Sequence, residues 1–201
     1  MIDALDGVQL RADLARVDTA TAGVVLTHPH PLYGGDRFNA IVDTLFGMLP
    51  AAGLTTIRFD FRGVNESGGT HDDGDSERLD VVAAIELLDF VQPDAPVWLV
   101  GYSFGALVAL NVVDPRVAGW IAIAPPLAAF PGRALADSDH RPKLLLVPRH
   151  DQYSPPDAIA TIIEPWTATE MRTIESCDHF LVGRVQPIAD TVVDAVVERL
   201  S

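Results

Sequence analysis

The strongest constraint on how this chain can fold is a repeated alternation of short, continuous apolar runs with longer amphipathic ones. "GVVLTHP" (23–29), "TTIRFDF" (55–61), "VWLVG" (97–101), "VAGWIAIAPP" (117–126) and "KLLLVPR" (143–149) are strand-length and apolar on successive residues. Runs of that kind suit strands buried on both faces. Helix-like stretches stand between and after them. In 38–53, Phe38, Ile41, Val42, Leu45, Phe46 and Leu49 recur at three/four spacing, and Gly53 supplies a stop. "ERLDVVAAIELLDFV" (77–91) follows Ser76, a suitable N-cap, and 187–200 carries an apolar face of Ile188, Val192, Val193, Val196, Val197 and Leu200. Apolar strands alternating with amphipathic helices predict an α/β fold: a doubly wound, mostly parallel sheet with helices on both faces. Residues 8–17 alternate at period two and predict an edge strand with one wet face, which leaves room for an antiparallel edge. Residues 170–176 predict another edge strand. With no repeat, linker or low-complexity block, 1–201 reads as one domain.

Charge narrows the partners. The net charge is −14, so the chain has no basic footprint for nucleic acid and would repel anionic lipid. No apolar run reaches bilayer length, and the first residues lack the basic start and apolar block of a secretion signal. The expectation is a cytoplasmic protein acting on a small molecule, with oligomeric state undetermined. The single cysteine, Cys177, rules out a disulfide within the chain.

In an open α/β sheet, ligands gather at the carboxyl ends of the strands, so the residues just past each run deserve inspection. After 97–101 comes "GYSFG" (101–105), and an apolar helix-like run follows. A strand turning at once into a helix forces the residue at the bend into a strained conformation. It also brings strand and helix so close that side chains two positions either way would clash. Gly101 and Gly105 remove that clash and present Ser103 above the sheet, beside the free N–H groups of a helix start. A plain strand-to-helix turn with an incidental serine has the same five letters; the strand–turn–helix setting favours a nucleophile.

A serine hydroxyl needs a base, and the base needs a carboxylate. Asp151 lies in "HDQYSPP", directly past the run at 143–149, with Pro155 placed to begin another helix. Asp137 and Asp139 are rival acids in a polar connection. His179, in "SCDHFLVG", stands between the last strand and the final helix, where a base is expected. His150 adjoins the acid in sequence, and His140 follows no strand end. The N–H of Phe104 can face a developing oxyanion. The second donor should come from "THPHPLYGGD" (27–36). There Pro29 and Pro31 have no N–H, which leaves His30, Leu32 or a later residue, with His30 favoured. His28 and His30 form an H-x-H pair, but no ligand cluster of standard spacing accompanies them. No metal or cofactor is expected. Tyr33, Leu127 and Phe180, with Phe61 and Phe104, are candidates for an apolar rim. Arg37 and Arg62 lie in nearby loops, as ion-pair partners or as a local basic patch.

With "GYSFG", "HDQYSPP" and "DHF" in that order, and "RFDFRGVNESGG" (58–69) between, the chain resembles the α/β-hydrolase superfamily over nearly its whole length. "HPHPLYGG" together with "DHF" resembles a small, lidless branch related to dienelactone hydrolases, although Ser103 stands where those enzymes carry cysteine. The resemblance implies an α/β-hydrolase fold without a cap domain, and an ester or thioester hydrolase with Ser103, Asp151 and His179 as its triad. Only 16 residues, 127–142, separate two strands where a cap would sit, so an open site taking small or surface-presented acyl groups is expected. The alternatives are a ligand-binding hydrolase scaffold with slow or no turnover, and a small serine peptidase.

Overall fold

A computed structural model describes residues 1–132 and 134–200. Strands β1 (Ile2–Asp3) and β2 (Gln9–Leu10) form a small antiparallel pair. The main sheet holds β3 (Ala12–Ala15), β4 (Ala22–Thr27), β5 (Leu54–Phe59), β6 (Val97–Tyr102), β7 (Val117–Ile123), β8 (Lys143–Pro148) and β9 (Thr169–Ile174). Its spatial order is β3-β5-β4-β6-β7-β8-β9. Only β3 runs antiparallel, as an edge strand on β5, and β9 closes the other edge parallel to β8.

The continuous apolar runs follow from burial on both faces. Along β4, Val24 and Leu26 point to one side and Val25 to the other. Trp98 and Leu99 divide the same way on β6, as do Leu144 and Leu145 on β8. Helices α1 (Ala40–Met48) and α5 (Val185–Glu198) cover the first face through Ile41, Leu45, Val192 and Val196. Helices α2 (Glu77–Val91), α3 (Phe104–Leu110) and α4 (Pro156–Ile163) cover the second through Val81, Ile85, Ala106 and Ile159.

Three local expectations need correction. Phe38 lies outside α1 and is exposed; Asn39 caps the helix by accepting from the Ile41 N–H, and the Arg37 guanidinium lies over the Phe38 ring. Ser76 sits at the N-cap of α2, but its hydroxyl donates to Asp72 and makes no cap bond. The strand expected over 8–17 breaks at Arg11, so that its halves join different sheets. The loop after β5 drives this: Gly68 N–H donates to Gln9 O, Asp60 N–H to Arg11 O, and Arg11 N–H to Ser67 Oγ.

That loop is held by buried ion pairs. Asp60 accepts from the Arg37 side chain and from Asn65 Nδ2, and Asn65 has φ 48°. Arg62 meets Asp80 at 2.7 Å and Asp6 at 2.8 Å. Arg37 and Arg62 are therefore structural partners and form no basic patch. The connection from β7 to β8 has no helix among its described residues; residue 133 lies outside them.

Candidate active site

Strands β4, β6, β7, β8 and β9 all end at one rim, and the candidate residues meet there. Ser103 joins β6 to α3 with φ 54° and ψ −117°. A Cβ on Gly101 would lie 2.5 Å from the Gly105 backbone, and one on Gly105 would lie 2.5 Å from Thr27 O on β4. Real Cβ atoms do not tolerate such contacts, so both positions require glycine. Thr27 Oγ1 then donates to Gly105 O at 3.0 Å, tying α3 to β4. The strain at Ser103 is held in place by this close packing.

Ser103 Oγ lies 2.8 Å from His179 Nε2, and His179 Nδ1 lies 2.8 Å from Asp151 Oδ2. All three residues are buried or nearly so. The carboxylate requires a proton on Nδ1, which leaves Nε2 to accept the serine proton. Asp151 does two jobs. Its Oδ1 accepts from the N–H groups of Tyr153 (2.8 Å) and Ser154 (3.0 Å), and Oδ2 is left for the imidazole. Asp151 thus both ties its own loop and bonds the imidazole. Asp137 and Asp139 lie in the β7–β8 connection, where Asp139 pairs with Arg141. His150 is exposed and does not join the relay.

The His179 loop is pinned from three sides. Tyr102 Oη donates to His179 O at 3.0 Å, Gln152 Oε1 accepts from His179 N–H at 3.4 Å, and the Tyr153 ring packs edge-on at 4.6 Å. Burial, reinforced by the carboxylates of Asp151 and Asp178, pushes the Tyr102 phenol up to about 12, so it keeps its proton and donates. Sequence reasoning missed Tyr102, Gln152 and Tyr153. No pattern in the sequence marks Tyr102, whose partner is a backbone carbonyl 77 residues away. Cys177 is buried, its thiol donates to Ile174 O, and burial raises its pKa.

The loop after β4 uses most of its own N–H groups. Leu32 N–H bonds to His30 Nδ1, Tyr33 and Gly35 N–H to His30 O, and Gly34 N–H to Pro31 O. Those four are spent inside the loop, and two prolines have none to give. Of the candidates from Pro29 to Gly35, His30 N–H is left. Phe104 opens α3, where a first N–H has no acceptor within the helix. The His30 and Phe104 rings pack at 4.9 Å between centroids. Burial, with the neighbouring His71, lowers the His30 pKa. His28 plays a different part. Its Nδ1 lies 2.7 Å from Pro29 O and its Nε2 accepts from Phe61 N–H at 3.0 Å, so both nitrogens are engaged by backbone.

A cleft of about 260 Å³ opens over Ser103, with Tyr33, Phe104, Phe130, Tyr153, His179 and Phe180 among its walls. Tyr33 and Phe180 therefore lie where expected. Leu127 lines a neighbouring cavity instead, while Pro126 and Phe130 of the same connection border the cleft. Phe61 is fully buried in the core beneath His28.

Sheet order, strand-to-helix elbow and hydrogen-bonded Ser–His–Asp chain define the scaffold of an α/β serine hydrolase. The chain belongs to the alpha/beta hydrolase family, whose sequence model matches residues 24–197. An alpha-beta serine hydrolase homologue from Coxiella burnetii is 30% identical, with a TM-score of 0.85 over 94% of this chain and 92% of that one. A lidless a/b serine hydrolase from Xanthomonas campestris is 27% identical, with a TM-score of 0.83 over 98% and 92%. An uncharacterized protein from Rickettsia prowazekii is 38% identical over 117 residues, 56% of this chain and 49% of that protein. This chain thus matches about half the length of that curated relative. Family and relatives together support hydrolase activity in general terms. Among the described residues, no helix is long and apolar enough to cross a membrane.

Proposed function

We propose that this protein hydrolyses a carboxylic ester or thioester through an acyl-enzyme on Ser103. The observation that carries the reading is the unbroken chain from Ser103 Oγ through His179 to Asp151, with both contacts at 2.8 Å. Ser103 Oγ attacks the substrate carbonyl carbon as His179 Nε2 takes its proton. Asp151 holds the imidazole in the productive tautomer and balances the imidazolium charge. The N–H groups of Phe104 and His30 receive the oxyanion. His179 then returns the proton to the leaving oxygen or sulfur. In the second half, His179 activates water, which releases the acid and restores the serine.

The test is a panel of aryl esters and thioesters run against the wild type and Ser103→Ala, with fluorophosphonate labelling in parallel. The expected result is labelling at Ser103 and turnover that falls by ~10⁴-fold or more in the variant. Rapid labelling without turnover of any ester would point to a ligand-binding scaffold. Turnover of peptides alone would point to a peptidase.

A further inference from the structure

Next to the Ser103 cleft lies a larger cavity of about 520 Å³, which the relay does not use. The two share three wall residues, His30, Phe104 and Phe130. Its volume falls inside the range typical of small-molecule sites, about 300–1,000 Å³, whereas the cleft alone falls below it. On the ester-hydrolase reading above, we infer that this second cavity holds the acyl arm of the substrate, and that the arm is an extended apolar chain.

Stereochemistry decides which arm goes there. The leaving atom must receive its proton from His179 Nε2, so the leaving group lies on the His179 side, against Tyr153 and Phe180. Neither these residues nor His179 belong to the second cavity. The carbonyl oxygen points to the N–H groups of Phe104 and His30. The remaining substituent on the carbonyl carbon is the acyl chain, which is directed past Phe104 and Phe130. There the floor is apolar: Leu107, Val108, Leu127 and Ala134. Asp73, Asp75 and Arg78 give the same cavity a polar margin, where the Arg78 guanidinium bonds Asp75 at 3.0 Å. The short connection after β7 therefore leaves room for a deeper acyl site than an open rim would provide.

Gly132 offers a way to fill the cavity. It lines the wall, and a Cβ placed on it meets no atom within 4 Å. Leu107, only partly buried, is a second position. The experiment measures kcat/KM for p-nitrophenyl acetate and octanoate, and for acetates of lengthening alcohols, with the wild type, Gly132→Trp, Leu107→Trp and Ser103→Ala. The wild type should favour octanoate over acetate by at least tenfold. Each tryptophan variant should cut the octanoate-to-acetate ratio by at least tenfold while leaving the ranking of the alcohol series in place. Ser103-dependent hydrolysis with no chain-length preference overturns the acyl assignment alone. So does a preference that both variants keep, or a shift confined to the alcohol series. Absence of Ser103-dependent turnover of every ester overturns the hydrolase reading with it.

Discussion

Acidification should destabilise this protein through one residue well before its carboxylates titrate. His28 is fully buried at the end of β4, its Nδ1 against Pro29 O and its Nε2 accepting from Phe61 N–H. Only the neutral ring can make both contacts. Burial drives its pKa down from 6.5 to about 4, against the opposing pull of Asp60 and Asp36. Between those values the unfolded chain binds a proton that the native state refuses, so stability is complete above pH 6.5 and falls as pH drops toward 4. Relative to pH 7, linkage gives a loss of about 1 kcal/mol at pH 5.5 and about 3 kcal/mol at pH 4, after which this contribution levels off. Urea denaturation at pH 7, 5.5 and 4 checks this with the wild type and His28→Gln, which keeps a donor and an acceptor but cannot protonate. The two stability curves should converge by those amounts as pH falls. Parallel curves would refute the reasoning, because the acid sensitivity would then belong to other groups.

Two further outcomes follow from the same rim. Gly105→Ala drives a methyl against Thr27 O and should cost on the order of 3 kcal/mol, read as a lower midpoint in thermal or urea unfolding. Asp151→Asn keeps an oxygen for the Tyr153 and Ser154 N–H groups, so the loop should hold and unfolding should change little; kcat on the best aryl ester should fall by ~10⁴.

How much of this could be read from the chain depends on where each partner lies. The strands at 97–101 and 143–149 were legible because burial on both faces leaves a continuous apolar run. Ser103, Asp151 and His179 were legible because a parallel sheet delivers the residues past its strand ends to one rim. Phe38 fits the three/four spacing of α1, yet the Arg37 guanidinium over its ring and the Asn39 cap place it outside the helix. Spacing does not register either contact. The break at Arg11 depends on hydrogen bonds to a loop more than fifty residues away. Cavity walls follow the path of loops, which is why the sequence marks Leu127 for a rim without separating the two cavities, and marks neither Tyr102 nor Tyr153.

His179 follows β9, the outermost strand, which pairs with the sheet on one side only. Ser103 follows β6, at the centre. The distance between the imidazole and the hydroxyl therefore measures whether β7, β8 and β9 have each docked in register. A slip of one residue at the border displaces the histidine by roughly 3.3 Å, more than the whole length of its bond to serine. Fraying at that outer margin would silence the site while the interior stays packed.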